Sequence, residues 1–327
     1  MSTFLSFAFA AVLAATPLLF GALGEILTEK SGNLNLGVEG MMFMGGVAGL
    51  AGTYYYEKAV GEPNAIISIV IGLVCAFLCA AFGALIYSVL TITFRANQNV
   101  TGLALTTFGT GFGNFFGEVM GNAAGGYVSV GAVTKAAFND GIPYLEDLPV
   151  VGKLLFSYNF LVYLAAACTV ILAYFLFKTK AGLNLRAVGE NPATADAAGI
   201  NVTLYKYLAT CIGGGICGLG GLYIVMNSAN GTGGVWVYNS ISGYGWLAVA
   251  IVIFCTWSPG KAVLCSLIVG ALTVIRYYYP LSFIPAAIYE IFPYIATVVV
   301  LIAIIFRKKK NNLPPSSLGL AYFREER

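Results

Sequence analysis

Nine continuously apolar runs divide the chain, most of them near the roughly 20 residues that a helix needs to cross a bilayer. They cover residues 4–23, 36–56, 65–89, 100–116, 160–177, 204–226, 244–257, 262–275 and 291–306. Barrel strands would alternate apolar and polar positions, and these runs do not. The pattern predicts an all-α polytopic membrane protein with about nine transmembrane helices, within a range of eight to ten. The seventh and eighth runs are short, and Pro280 and Pro285 predict an irregular turn before the ninth. The first run has no basic residue before Lys30, so it reads as a span and not as a cleaved signal.

The polar stretches between runs carry as much information. Residues 178–206 read KTKAGLNLRAVGENPATADAAGINVTLYK. Asn191 suits an N-cap, Pro192 the first helical position and Gly199 the left-handed residue past the last turn, which predicts a helix over 192–198. Helices below about 12 residues are marginal alone, so this one needs a larger body to rest on, and its alanines permit close approach. The plain alternative is a solvated loop.

With nine spans the connections alternate sides. One side collects Lys30, Arg95, Lys178, Lys180, Arg186, Lys206, Lys261, Arg307, Lys308, Lys309, Lys310, Arg324 and Arg327, and the other only Lys58, Lys135, Lys153 and Arg276. The positive-inside rule makes the first side cytoplasmic, with the N-terminus outside and a basic cytoplasmic tail over 307–327. Taking the fifth run as a central connector leaves two four-helix halves of inverted topology, about 4–118 and 204–306, in one transmembrane domain over 1–306. Folds of this kind place their pathway where interrupted elements of the two halves correspond. The corresponding interruptions are EKSGNLNLGVEGMM and NSANGTGGVWVYNSISGYGW. Polar backbone at membrane depth is tolerated only inside protein or beside water. Asn33, Asn35, Glu39, Asn227 and Asn230 are therefore candidate pathway residues, unless both stretches are turns at the bilayer surface. Glu39 would either pair with a helix N-terminus or a basic partner, or contact polar ligand groups. Gln98, Asn99, Thr101 and Asn114 enter the fourth run and could hydrogen-bond a polar solute or a neighbouring helix.

Composition agrees with the pattern: 59% of the 327 residues are hydrophobic, 9% are charged and the mean hydropathy is +0.84. The seven cysteines lie in apolar stretches and there is no histidine, so they read as packing residues and no metal site is expected. No GxxxxGK[ST], nucleophile elbow or zinc motif occurs, so the chain should not hydrolyse ATP by itself. Nothing points to nucleic acid.

GEILTEKSGNLNLGVEGMM near the start and GLNLRAVGENPATADAAGINVTLYKY after the fifth run together resemble the permease subunits of bacterial ABC importers. The relevant branch includes the branched-chain amino acid, ribose and nucleoside permeases, and the LNLGVEG wording is most similar to the nucleoside branch, whose binding proteins are basic membrane lipoproteins. The resemblance implies a permease in the bacterial cytoplasmic membrane that imports nucleosides or related sugar-containing solutes and binds no cofactor itself, ATP and Mg being held by a separate ATPase subunit. It further implies a second homologous permease chain, as a heterodimer, and an external binding lipoprotein. The segment 178–206 would contain the coupling helix, with Arg186, Gly189, Glu190, Asn191, Ala195, Ala198 and Gly199 at the matching positions. Ribose permeases have ten spans, of which this chain lacks the first. Two alternatives stand beside this reading: a simple-sugar permease of the ribose type, and an ATP-independent secondary transporter or channel in which Glu39 carries a coupling proton.

Overall fold

The computed structural model describes residues 3–141, 157–227, 233–280, 285–306 and 314–323. Each apolar run lies largely in a helix: α1 Thr3–Glu29, α2 Val38–Val60, α3 Ala65–Ser88, α4 Gln98–Ala123, α6 Phe160–Lys178, α9 Val202–Met226, α10 Tyr244–Phe254, α11 Pro259–Tyr278 and α12 Ala286–Phe306. Three shorter helices join them: α5 Ala132–Asn139, α7 Lys180–Glu190 and α8 Pro192–Ala197. Among the described residues, β pairing is limited to one isolated bridge, Ser129 with Val235. The chain is thus a helical polytopic membrane protein. Helices α1, α6, α9 and α11, and α3 with the π turn Val89–Thr93 that ends it, are long and apolar enough to cross a membrane; α10 is a shorter apolar helix.

Asparagine sets many of the helix starts. Asn64, Asn97, Asn159, Asn191 and Asn201 each accept a backbone N–H from the first turn of α3, α4, α6, α8 and α9, which satisfies donors that have no partner within the helix.

Helix α9 runs through the centre and packs on α1, α2 and α3. Its Gly-rich sequence lets backbones touch: a Cβ on Gly218 would meet the side chain of Ala80, and one on Gly45 of α2 would meet the backbone of Gly218. Small residues at helix contacts are how spans pack without a hydrophobic driving force between them. The packing is reciprocal between the halves. The first helix of one half, α1, lies against α10 and α11 of the other, and α9 lies against α2 and α3 of the first. Such an exchange of partners is what two halves of inverted topology would produce.

Several boundaries differ from the sequence expectation. Helix α1 runs six residues past position 23 to Glu29, because both Glu25 and Glu29 are buried and find partners inside the protein. Helices α4 and α11 also extend beyond their apolar runs, and α5 had no apolar signal. Residues 281–284, where an irregular turn was expected, and Asn230 lie outside the described residues.

Candidate functional site

The link between α1 and α2, residues 30–37, is mostly buried, with Lys30, Leu34 and Leu36 partly exposed. Most of its polar groups find partners, from several directions. The Asn35 backbone N–H donates to Glu25 Oε1 at 3.1 Å, and Asn35 Oδ1 accepts from the Gly37 N–H at 2.9 Å. The Leu34 N–H donates to Gln98 Oε1 at 2.7 Å, its carbonyl accepts from the Tyr87 hydroxyl at 2.5 Å, and Asn33 Nδ2 donates to Thr210 Oγ1 at 2.9 Å. An irregular backbone buried this deeply survives only when such partners replace water.

Two carboxylates from the first half hold α10 at its two ends. Glu39, in the first turn of α2 and 6% exposed, accepts from the Gly243 N–H at 3.0 Å, and the Gly245 and Trp246 N–H groups are also directed at it. An anion at the positive end of a helix dipole is favourable. Beyond the other end of α10, the Trp257 indole N–H donates to Glu29 Oε2. Trp257 and Thr256 both have positive φ, 53° and 52°, so the turn into α11 adopts a backbone that ordinary side chains rarely take. Glu29 and Glu25 were not singled out from sequence, although two carboxylates one helical turn apart at the end of an apolar run are the signal that would find them.

The remaining candidates separate. Asn114 pairs with Asn239, its Nδ2 donating to Asn239 Oδ1 at 2.7 Å and its Oδ1 accepting from the Asn239 N–H at 3.1 Å. Asn227 follows α9 and lines a cavity of about 660 Å³ between α1, α9, the 235–244 stretch and α11. Phe9, Tyr223, Tyr244, Tyr277 and Tyr278 form much of its wall, and the hydroxyl of Ser240 in it has no hydrogen-bond partner. Gln98 is buried against the α1–α2 link, whereas its neighbour Asn99 is exposed and joins neither group. The structure therefore gathers Asn33, Asn35 and Gln98 around one link, places Glu39 at α10, and leaves Asn99 outside.

The segment after α6 folds as two helices. Asn191 Oδ1 accepts from the Thr194 N–H at 3.0 Å, Pro192 opens α8, and Gly199 follows with φ of +83°. The body it rests on is a small cluster of Val188, Ala195 and Val202 with Ala187, Ile200, Tyr205 and Tyr322. Ala195 is 3% exposed and faces this cluster, so it is a foundation residue and not part of the outward surface. Asn191, Thr194, Ala197, Ala198 and Gly199 form the free face. Gly189 is also internal: a Cβ there would strike the Lys30 carbonyl, and its own carbonyl accepts from the Ser317 N–H at 3.1 Å and hydroxyl at 2.6 Å. Exposed Glu190 accepts from Ser316 Oγ at 2.8 Å, and the Arg186 guanidinium lies 5.5 Å from the Phe177 ring centre. Burial pushes the Lys30 ammonium below the usual lysine range, opposed by nearby Glu190 and reinforced by Arg186.

The described part of the tail, residues 314–323, completes this end. The Gly319 N–H donates to the Gly32 carbonyl at 3.2 Å, the Tyr322 hydroxyl donates to Asp196 Oδ2 at 2.9 Å, and the Arg95 guanidinium sits 4.5 Å from the Phe323 ring centre. The tail thus ties α7 and α8 to the α1–α2 link and to the turn before α4.

The described helices form a membrane bundle with a short capped helix standing on a separate small cluster. Residues 7–305 match the family described as the branched-chain amino acid transport system permease component, and the chain belongs to that family. Among its relatives, a Haloferax volcanii protein provisionally named as a glucose ABC transporter permease is 33% identical over 97% of both chains. The guanosine ABC transporter permease protein NupQ of Bacillus subtilis is 32% identical over 93% of this chain and 94% of its own. The nucleoside ABC transporter permease protein NupC of Lactococcus lactis is 32% identical over 88% of each. No solved structure matches the chain.

Proposed function

We propose that this chain is the permease subunit of an ATP-driven importer that moves nucleosides, or closely related sugar-containing solutes, into the cell. The observation that carries the reading is α8: a capped six-residue helix whose inner face is fixed by Ala195 while Ala198 and its neighbours stand free. Such a rigid, small-residue projection is suited to enter a cleft on a separate ATPase, which would hold the ATP and Mg. The relatives' names support a nucleoside or sugar as cargo.

In this reading the end bearing α7, α8 and the tail is cytoplasmic and the N-terminus is outside, as the distribution of Lys and Arg favours. A second homologous permease chain, forming a heterodimer, and an external binding lipoprotein complete the complex. The aromatic cavity beside Asn227 lies at the outer end and offers flat faces for a base or sugar ring, with Ser240 as a free hydrogen-bonding group. Glu39 acts here by holding α10 in register with α2, so the candidate proton-coupling role gives way to a positioning one.

Replacing Ala198 with Asp tests the reading. A charge buried in a docking contact without a partner costs about 3 kcal/mol or more, so ATPase co-purification and labelled-nucleoside uptake should fall at least tenfold while membrane insertion is unchanged. Uptake at the wild-type level in that variant, or uptake that survives ATP depletion and follows the proton gradient, overturns it.

A further inference from the structure

A second cavity, of about 580 Å³, opens at the end that carries α8. Its walls come from the π turn after α3, the start of α4, residues 199–203, the first turns of α9, and the tail at Ala321 and Tyr322. The volume falls within the range of small-molecule sites. Nothing in the permease role accounts for its chemistry.

Lys206 lines this cavity from one turn inside α9 and is only 3% exposed. Its ammonium sits beneath the α1–α2 link, since a Cβ on Gly32 would come within 3.6 Å of it. Among the described residues no hydrogen bond or ion pair engages that ammonium. Buried charges are ordinarily paired, because an unpaired one carries a desolvation cost of several kcal/mol. Beside it is a buried atom without a hydrogen-bond partner. Asn33 is fully buried and lines the same cavity; its Nδ2 donates to Thr210 Oγ1, while its Oδ1 has no partner. Thr210 Oγ1 itself donates to the Lys206 carbonyl at 2.9 Å, which fixes the Asn33 amide with its oxygen free. At the rim stands exposed Arg95; the single carboxylate in the wall, Asp196, accepts from the Tyr322 hydroxyl.

The lining groups therefore suit an anionic group that meets Lys206 and Arg95, and a hydroxyl that donates to Asn33 Oδ1. We propose that this cavity binds a phosphate ester that carries free hydroxyl groups, with the phosphate on Lys206 and Arg95 and a hydroxyl on Asn33. Sugar phosphates, nucleoside monophosphates and the headgroup of a glycerol-bearing anionic lipid share that chemistry. A ligand so placed touches α9, the α1–α2 link and the tail at once. It binds one arrangement of the coupling segment in preference to others, and so slows any cycle that must leave that arrangement.

The test uses the full complex in nanodiscs. Labelled ribose 5-phosphate should bind saturably in neutral-lipid discs and reduce ATP-driven uptake when present on the α8 side. Lys206→Met should weaken binding about tenfold, as loss of one charge-assisted contact predicts, and Lys206→Arg should restore most of it. Arg95→Asn, at an exposed residue whose positive φ of 59° asparagine tolerates, should weaken binding about threefold and cannot fail through loss of the core. If ribose 5-phosphate binds only after phosphatidylglycerol is excluded, and that lipid raises the melting temperature of the wild type but not of Arg95→Asn, the same site is occupied by lipid. Absence of saturable binding in both kinds of disc, or binding indifferent to Lys206→Met and Arg95→Asn, overturns the proposal.

Discussion

The link between α1 and α2 and the link between α9 and α10 hold corresponding places in the two halves, yet they are built for different ends. The first is eight residues long and mostly buried; Glu25, Gln98 and Tyr87 bond its backbone, and Thr210 accepts from the Asn33 side chain. The second is twice as long; Val237, Tyr238 and Asn239 are exposed, and it borders the aromatic cavity. One link is tied to the membrane body and, through Gly189 and the tail, to α7, while the described part of the other lies open beside the aromatic cavity. The two links thus differ in how they are held: the first is fixed by hydrogen bonds from three other helices, and residues 237–239 of the second are exposed.

The comparison can be broken most sharply at the first link. Gly189→Val places side-chain atoms into the Lys30 carbonyl and should cost about 3 kcal/mol by overpacking; thermal unfolding in detergent that matched the wild type would show that the link is not rigidly packed. Asn35→Ala removes the acceptor for the Gly37 N–H at a fully buried site and should cost about 2 kcal/mol. The matching change at the other link, Asn114→Ala on α4, loses the pair with Asn239 of that link beside exposed residues and should cost about 1 kcal/mol, with uptake altered more than melting. Equal melting losses in the two variants would erase the distinction. Glu39→Gln keeps the shape at the start of α10 but removes the charge at its dipole, an effect of about 1 kcal/mol, and wild-type uptake with a lowered melting temperature would fix its role as positioning. Asn99→Ala, exposed and outside both links, should stay within about 0.5 kcal/mol of the wild type.

Much of this was legible in the order of residues. The nine apolar runs appear as helices, and Asn191, Pro192 and Gly199 mark α8 to within one residue, since capping is local chemistry that sequence displays directly. What escaped was chemistry made by distance along the chain. Nothing near Ala195 says that it faces Val188 and Val202 while Ala198 faces out, because six residues are too few to show a periodic face. Glu25 and Glu29 fall just past the first apolar run, and their burial depends on Asn35 and Trp257 arriving from elsewhere. The tail reads from sequence only as basic and cytoplasmic, and its Ser317 and Tyr322 are neutral contacts that charge counting does not register.

The two carboxylates that grip α10 also impose an order of events on synthesis. Glu39 finds its Gly243 partner 204 residues later, and Glu29 finds Trp257 228 residues later. When the first four spans have left the ribosome, both acids stand in or near the bilayer with no native donor available, and they stay so until most of the second half has been made. A charge abandoned at membrane depth is costly, so the nascent first half must keep these groups protonated, hydrated or sheltered by the insertion machinery. The first half of the chain therefore reaches its native polar contacts only when the stretch from residue 243 to residue 257 has been made.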